Sequence, residues 1–176
     1  MVQLIIVILA IALTSVLTVA TVSYLPAGPT ASPAQVRTLT NTGINLQQAF
    51  YYATKANSGT PPATTTAADG GLMADFGSLL TFPPIPLPGF TWIYGQHPND
   101  GSAYANMYYF CMEPTASANG NRFAVNSTQQ AGAAFSASQY IMANSCGAIA
   151  NAAAPTPAQL FLTLYVTYNA NIAPPA

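Results

Sequence analysis

The sequence predicts an α+β fold: a long N-terminal helix, apolar in its first half and amphipathic in its second with a Pro/Gly break between, packed on an antiparallel β-sheet. Three observations predict it. The stretch from Met1 to Leu25, MVQLIIVILAIALTSVLTVATVSYL, has no charged residue, and its only strongly polar side chain is Gln3. Val36, Leu39, Gly43, Leu46, Phe50 and Ala53 then recur at alternating spacings of three and four, one apolar stripe on a helix. Later segments carry the turn signals and period-two alternation of strands.

The first segment, 1–25, rises about 37 Å as a helix at 1.5 Å per residue, enough to cross a bilayer core. A secretory signal peptide would have a basic start and a shorter apolar run, and no Lys or Arg precedes Arg37. A plain membrane anchor usually has basic flanks, and both flanks here are neutral. A helix that starts in a membrane and ends buried among copies of itself is apolar all round and needs neither. Pro26, Gly28 and Pro29 stop the run, so 26–32 is a hinge or an unwound joint; a loop that lets the next helix fold back is the alternative.

Residues 33–176 read as one globular α+β domain. Ser32 suits an N-cap and Pro33 the first helical position, which places a helix over 33–56. Arg37, Asn41, Asn45, Gln48 and Lys55 lie largely off its apolar stripe, and Asn57, Ser58 and Gly59 end it. Residues 59–71 are a polar loop, and 72–80 suit a short helix. Phe82–Gly89, FPPIPLPG, is too proline-rich for helix or central strand and suits a rigid extended connector; a ligand for a recognition module is the sharper alternative. Phe90–Gln96 reads as a strand with Trp92 and Tyr94 on one face. Asn99-Asp100-Gly101 is a turn, and Tyr104–Met112 is the returning strand of a long-tipped hairpin. An Ala- and Gln-rich stretch over 128–143 reads as a helix. In Gln159–Asn169, Leu160, Leu162, Leu164 and Val166 alternate with Phe161, Thr163, Tyr165 and Thr167, a strand whose aliphatic face packs on the 33–56 helix.

Composition narrows the function. Only Arg37, Lys55, Arg122, Asp69, Asp75, Asp100 and Glu113 carry formal charge, 4% of the chain against a usual quarter. A monomeric soluble domain normally carries more to stay dispersed, so an extracytoplasmic, assembled protein is expected. A net charge of −1 argues against nucleic acid, because little is present to neutralise phosphates. In an exported chain the only two cysteines, Cys111 and Cys146, read as a disulfide, worth roughly 3 to 4 kcal/mol in the loop-entropy model; two free thiols in a reducing compartment are the alternative. The only histidine, His97, stands within six residues of Asp100 and Ser102. A working triad draws its members from separate elements beside an oxyanion hole, so a structured turn is the simpler reading. No phosphate loop, paired carboxylates or metal-ligand spacing occurs, so no catalytic, cofactor or metal residue is assigned. Asn126-Ser127-Thr128 matches a short glycosylation pattern. Ten tyrosines suit aromatic packing and contact surface; electron conduction would require a continuous stacked path.

With its apolar 1–25 segment, its amphipathic continuation over 33–56, its later strands and the pair Cys111 and Cys146, the chain resembles a type IV pilin. The Met start is similar to the type IVb branch. The resemblance implies a structural subunit of an extracellular filament serving adhesion, motility or a DNA- or conjugation-related surface fibre on a bacterial cell. The subunit would wait in the inner membrane before assembly. It implies a processed, N-methylated Met1, a filament core containing Val2, Leu4, Ile5, Ile6, Leu9, Leu13 and Leu17, and a hinge at Pro26, Gly28 and Pro29. The implied partners are further copies of the chain in a helical homopolymer, the pilus assembly machinery and a prepilin peptidase, with no enzymatic activity. The family usually carries Glu at mature position five, where this chain has Ile5, so the usual pairing with a neighbour's N-terminal amine is missing. That departure fits a minor or divergent pilin, or a pseudopilin or archaeal relative; the second amphipathic helix speaks against the archaeal form. An N-terminally anchored extracytoplasmic binding protein acting as a monomer is the alternative, and an exported enzyme has no catalytic constellation behind it.

Overall fold

A computed structural model describes residues 30–63, 76, 86–153 and 155–167. The apolar segment from Met1 to Leu25 and the hinge residues Pro26, Gly28 and Pro29 lie outside the described residues, as do the core positions assigned between Val2 and Leu17 and all but Phe76 of the 72–80 segment. The described part is α+β: helices on one face of a four-stranded antiparallel sheet.

The first helix, α1, runs Pro33–Ala56, with Pro33 in its first turn and Ser32 at the N-cap in an extended conformation. The Ser32 side chain makes no capping bond; Val36 N–H donates to Ser32 C=O instead. At the far end Asn57 N–H donates to Ala53 C=O and Gly59 N–H to Thr54 C=O, with Ser58 and Gly59 both at positive φ. Those bonds satisfy carbonyls that a helix end leaves orphaned. The stripe is buried as its spacing requires: Leu39, Gly43, Leu46, Phe50 and Ala53 face inward, and Val36 packs partly against them. Arg37, Asn41, Asn45 and Lys55 are exposed.

Strand β1 is Phe90–Gln96, β2 Tyr108–Pro114, β3 Tyr140–Ala143 and β4 Phe161–Val166, in the order β1-β2-β4-β3 with every pair antiparallel. One sheet face is Phe90, Trp92 and Tyr94 on β1, Phe110 and Met112 on β2, and Leu162, Leu164 and Val166 on β4. With Leu39, Leu46 and Phe50 of α1 these form the main core. Pairing register puts Cys111 and Tyr109 of β2 and Thr163 and Tyr165 of β4 on the other face. This second face is not left to solvent. Tyr165 and Thr163 are fully buried, and Tyr104, Met107, Tyr109, Ala148 and Ala152 pack with Ile141, Ala143 and Tyr165.

Three expectations are corrected. The second strand begins at Tyr108 and not at Tyr104, because residues 102–107 coil into turns: Ala105 N–H bonds Ser102 C=O, Met107 N–H bonds Tyr104 C=O, and Asn106 takes a positive φ. This puts the Tyr104 ring 4.4 Å from that of Tyr165, so aromatic packing overrides the local strand pattern. The stretch 128–143 is not one helix. Helix α2 covers Ala124–Ala131, a 3₁₀ turn follows over Gly132–Ala134, and Tyr140–Ala143 becomes β3. Tyr140–Ala143 pairs with Phe161–Leu164, and this long-range partner outweighs the helix propensity of the alanines around it. The last strand begins at Phe161 and not at Gln159, because Pro157–Gln159 forms a 3₁₀ turn before it.

Candidate functional site

The best-defined polar constellation is on the second sheet face, where the 97–107 loop and the 144–152 loop meet over β2 and β4. His97 follows β1 directly, and its N–H donates to Met107 C=O across the loop. Its Nε2 lies 3.0 Å from Asp100 Oδ2, and its Nδ1 lies 3.1 Å from the Tyr165 hydroxyl. Asp100 Oδ1 accepts the Ser102 N–H at 2.9 Å. The Ser102 hydroxyl and N–H, and after them His97, hold the Asp100 carboxyl well below the usual carboxylate range. The Tyr165 hydroxyl donates to the carbonyls of Gly147, at 2.8 Å, and Ala148, at 3.3 Å. Burial, with Tyr109 and Tyr104 beside it, pushes the Tyr165 phenol above its ordinary range.

The Cys111–Cys146 disulfide adjoins this network in sequence, since Tyr165 bonds the carbonyl of Gly147 next to Cys146. Cys111 is fully buried on β2 and Cys146 opens the 146–148 turn. Gly147 is required in that turn: it has φ +71°, and a Cβ there would stand 3.2 Å from the Tyr109 ring. Its N–H donates to Thr163 Oγ1, so the disulfide loop is tied to β4 through backbone as well as sulfur.

The chain matches no protein-family model, no curated protein and no solved structure. Its chemistry is therefore read from its own geometry. Both ring nitrogens of His97 are engaged, by Asp100 and Tyr165, and the Ser102 hydroxyl oxygen accepts the Tyr104 N–H at 3.2 Å. The three residues flagged in the sequence thus form a structured turn without a serine–histidine contact, which nucleophile activation needs. Among the described residues no group of three or more His, Cys, Asp or Glu side chains stands close enough to hold a metal ion.

Tyr165 is the member that sequence reading missed. The strand alternation already put it opposite the aliphatic face, but nothing in the sequence relates position 165 to position 97. The glycosylation-like triplet sits in α2, where Ser127 and Thr128 are fully buried and Ser127 Oγ accepts the Ser32 N–H. The tyrosines form separate clusters. Tyr94, Tyr108 and Phe50 lie on the helical side, and Tyr104, Tyr109 and Tyr165 on the other. A cavity of about 520 Å³ opens between α2 and β3, lined by Val125, Asn126, Gln129, Tyr140, Met142 and Asn151 among others, with no charged side chain. Among the described residues no helix is long and apolar enough to cross a membrane.

Proposed function

We propose that the chain is a structural subunit of an extracellular filament of the type IV pilin kind. The observation that carries this reading is the uncharged run Met1–Leu25, set before a helix that packs on an antiparallel sheet. Among the described residues, the exposed large hydrophobic side chains are Tyr52 and Ile149. On this proposal the apolar driving force for assembly is supplied by Met1–Leu25. In this reading the segment holds the subunit in the inner membrane and then becomes the filament core, with Pro26, Gly28 and Pro29 as the hinge and Met1 as the processed end. Its partners are further copies of the chain, the assembly machinery and the peptidase that processes the precursor. The disulfide tethers the 144–152 loop on the domain, in keeping with an oxidising exterior.

The test is direct. Surface material sheared from cells is imaged by negative stain and its subunits are weighed intact. Filaments built from this chain, with a mature mass starting at Met1, are the expected result. Absence of filaments, with the chain recovered as an anchored monomer, moves the assignment to a binding protein, for which the uncharged cavity between α2 and β3 is the natural site. A mature start near Thr21 or later points to a cleaved leader and ends the filament reading.

A further inference from the structure

The hydrogen-bond arithmetic around His97 closes only for one protonation state. The Tyr165 hydroxyl has one proton, and it faces two carbonyls, Gly147 at 2.8 Å and Ala148 at 3.3 Å, that can only accept. With that proton given to a carbonyl, the 3.1 Å contact to His97 requires a hydrogen on Nδ1. The other nitrogen, Nε2, faces an oxygen of Asp100 at 3.0 Å. Asp100 is ionised, because Ser102 supplies hydrogen bonds to its carboxylate, so Nε2 must also carry hydrogen. A neutral imidazole has one N–H, and only the imidazolium has two. A neutral ring protonated on Nε2 keeps Asp100 and turns Nδ1 into an acceptor that competes with Gly147 for the tyrosine proton. A neutral ring protonated on Nδ1 keeps Tyr165 and sets a lone pair against the Asp100 carboxylate.

We propose that His97 is a proton-operated clasp: doubly protonated, it ties the 97–107 loop through Tyr165 to the loop carrying Cys146, and loss of one proton loosens that loop over the disulfide. Among the described residues, the titratable groups facing it are few. Asp100 and Tyr104 come from its own loop, Tyr165 from β4, and Tyr109 of β2 stands against Tyr165. Glu113 is at the opposite end of β2, paired with Thr91, while Arg37 and Lys55 belong to α1 and Arg122 to the turn before α2, on the helical side. Among the described residues, the clasp therefore reads the proton on His97 against one carboxylate, that of Asp100. Its consequence is access to sulfur: Cys111 is fully buried, Cys146 is half-buried, and the clasp holds the Cys146–Ala148 segment through the Gly147 carbonyl.

The experiment follows reduction of the disulfide by a water-soluble phosphine in the full-length chain in detergent. Each rate is divided by that of the same chain unfolded in urea at the same pH, which removes the reagent's own pH dependence. The folded chain should be reduced about fivefold more slowly at about pH 5.5 than at about pH 8.5. His97→Gln should be equally protected at both values. Asp100 is exposed, so Asp100→Asn is expected to fold, and it should cut the pH effect to less than about twofold. Because His97 is the only histidine, nitrogen-15 labelling of histidine reads its ring without assignment, and both nitrogens should be protonated at the lower pH. Equal protection of the wild type at both pH values would overturn the clasp. So would a pH effect that survives in Asp100→Asn, or a neutral ring at the lower pH in a chain still protected there.

Discussion

Gly43 shows how much one residue can decide. It occupies a core-facing position of α1, where glycine costs about 1 kcal/mol of helix propensity relative to alanine. A Cβ at this position would lie 2.7 Å from the Phe135 ring and 3.5 Å from Leu164, and Phe135 is itself stacked on Tyr140 with centroids 5.2 Å apart. The ring has little room to retreat without breaking that stack. Gly43→Val should therefore lose about 1–3 kcal/mol by overpacking, against a propensity gain of a few tenths, seen as a lower urea midpoint. The buried tyrosines make a second prediction at this scale. Burial raises the phenols of Tyr94, Tyr140, Tyr165 and Tyr109, with Tyr108 adding to the effect at Tyr94. The folded chain thus holds phenol protons that the unfolded chain releases from about pH 10. Their contribution to stability is complete below that value and declines as pH rises toward the folded values. The urea midpoint should fall between about pH 9 and about pH 11, and these tyrosines should show no phenolate absorbance before unfolding. An unchanged midpoint with early phenolate absorbance would mean that the rings are open to water.

Among the elements, α1 is where pattern and structure coincide most closely, and its energetics follow from the same stripe. Leu46 is fully buried between α1 and the sheet, whereas Asn45 beside it is exposed. Leu46→Ala should cost about 2–5 kcal/mol, and Asn45→Ala should stay within about 0.5 kcal/mol, in matched urea unfolding curves. The disulfide acts between elements: it joins β2 to the segment after β3 across a sequence separation of 35. Replacing both cysteines with serine should lower stability by roughly 3–4 kcal/mol, and thiol labelling of the denatured, unreduced wild type should find no free thiol. The stretch 128–143 shows where local pattern fails. Its small residues suit a helix, yet Tyr140–Ala143 has an open strand partner in β4. A four-residue strand is too short for alternation to declare itself, so only the pairing reveals it.

For the whole molecule, the proposed filament raises the question of what would hold copies together. Fully burying a Leu, Ile or Val side chain is worth about 1.5–3 kcal/mol, and Met1–Leu25 contains many. With Ile5 where the resembled family has Glu, and with no charged side chain elsewhere in that segment, filaments should persist in high salt, since little is present to screen. Leu9→Asp would bury an unpaired charge and should abolish them, leaving the domain folded by circular dichroism. Filaments that dissolve in salt, or that assemble normally with Leu9→Asp, would place the assembly contacts in the outer domain instead.

The amino-acid sequence by itself determined the features written in local periodicity. The helix from Pro33 to Ala56 and the strand from Phe90 to Gln96 stand where the spacing of Leu39, Leu46 and Phe50 and of Trp92 and Tyr94 puts them. The pairing of Cys111 with Cys146 followed from their being the only two cysteines. Tertiary structure alone decided the strand order β1-β2-β4-β3, the conversion of Tyr140–Ala143 into a strand, and the burial of the second sheet face. It also brought His97 to Tyr165 across 68 residues. The physical reason is the range of the interactions. Periodicity records which side of an element is apolar, a property each segment carries alone. Strand partners and a shared hydroxyl proton depend on which distant segment arrives alongside, and no local pattern encodes that arrival.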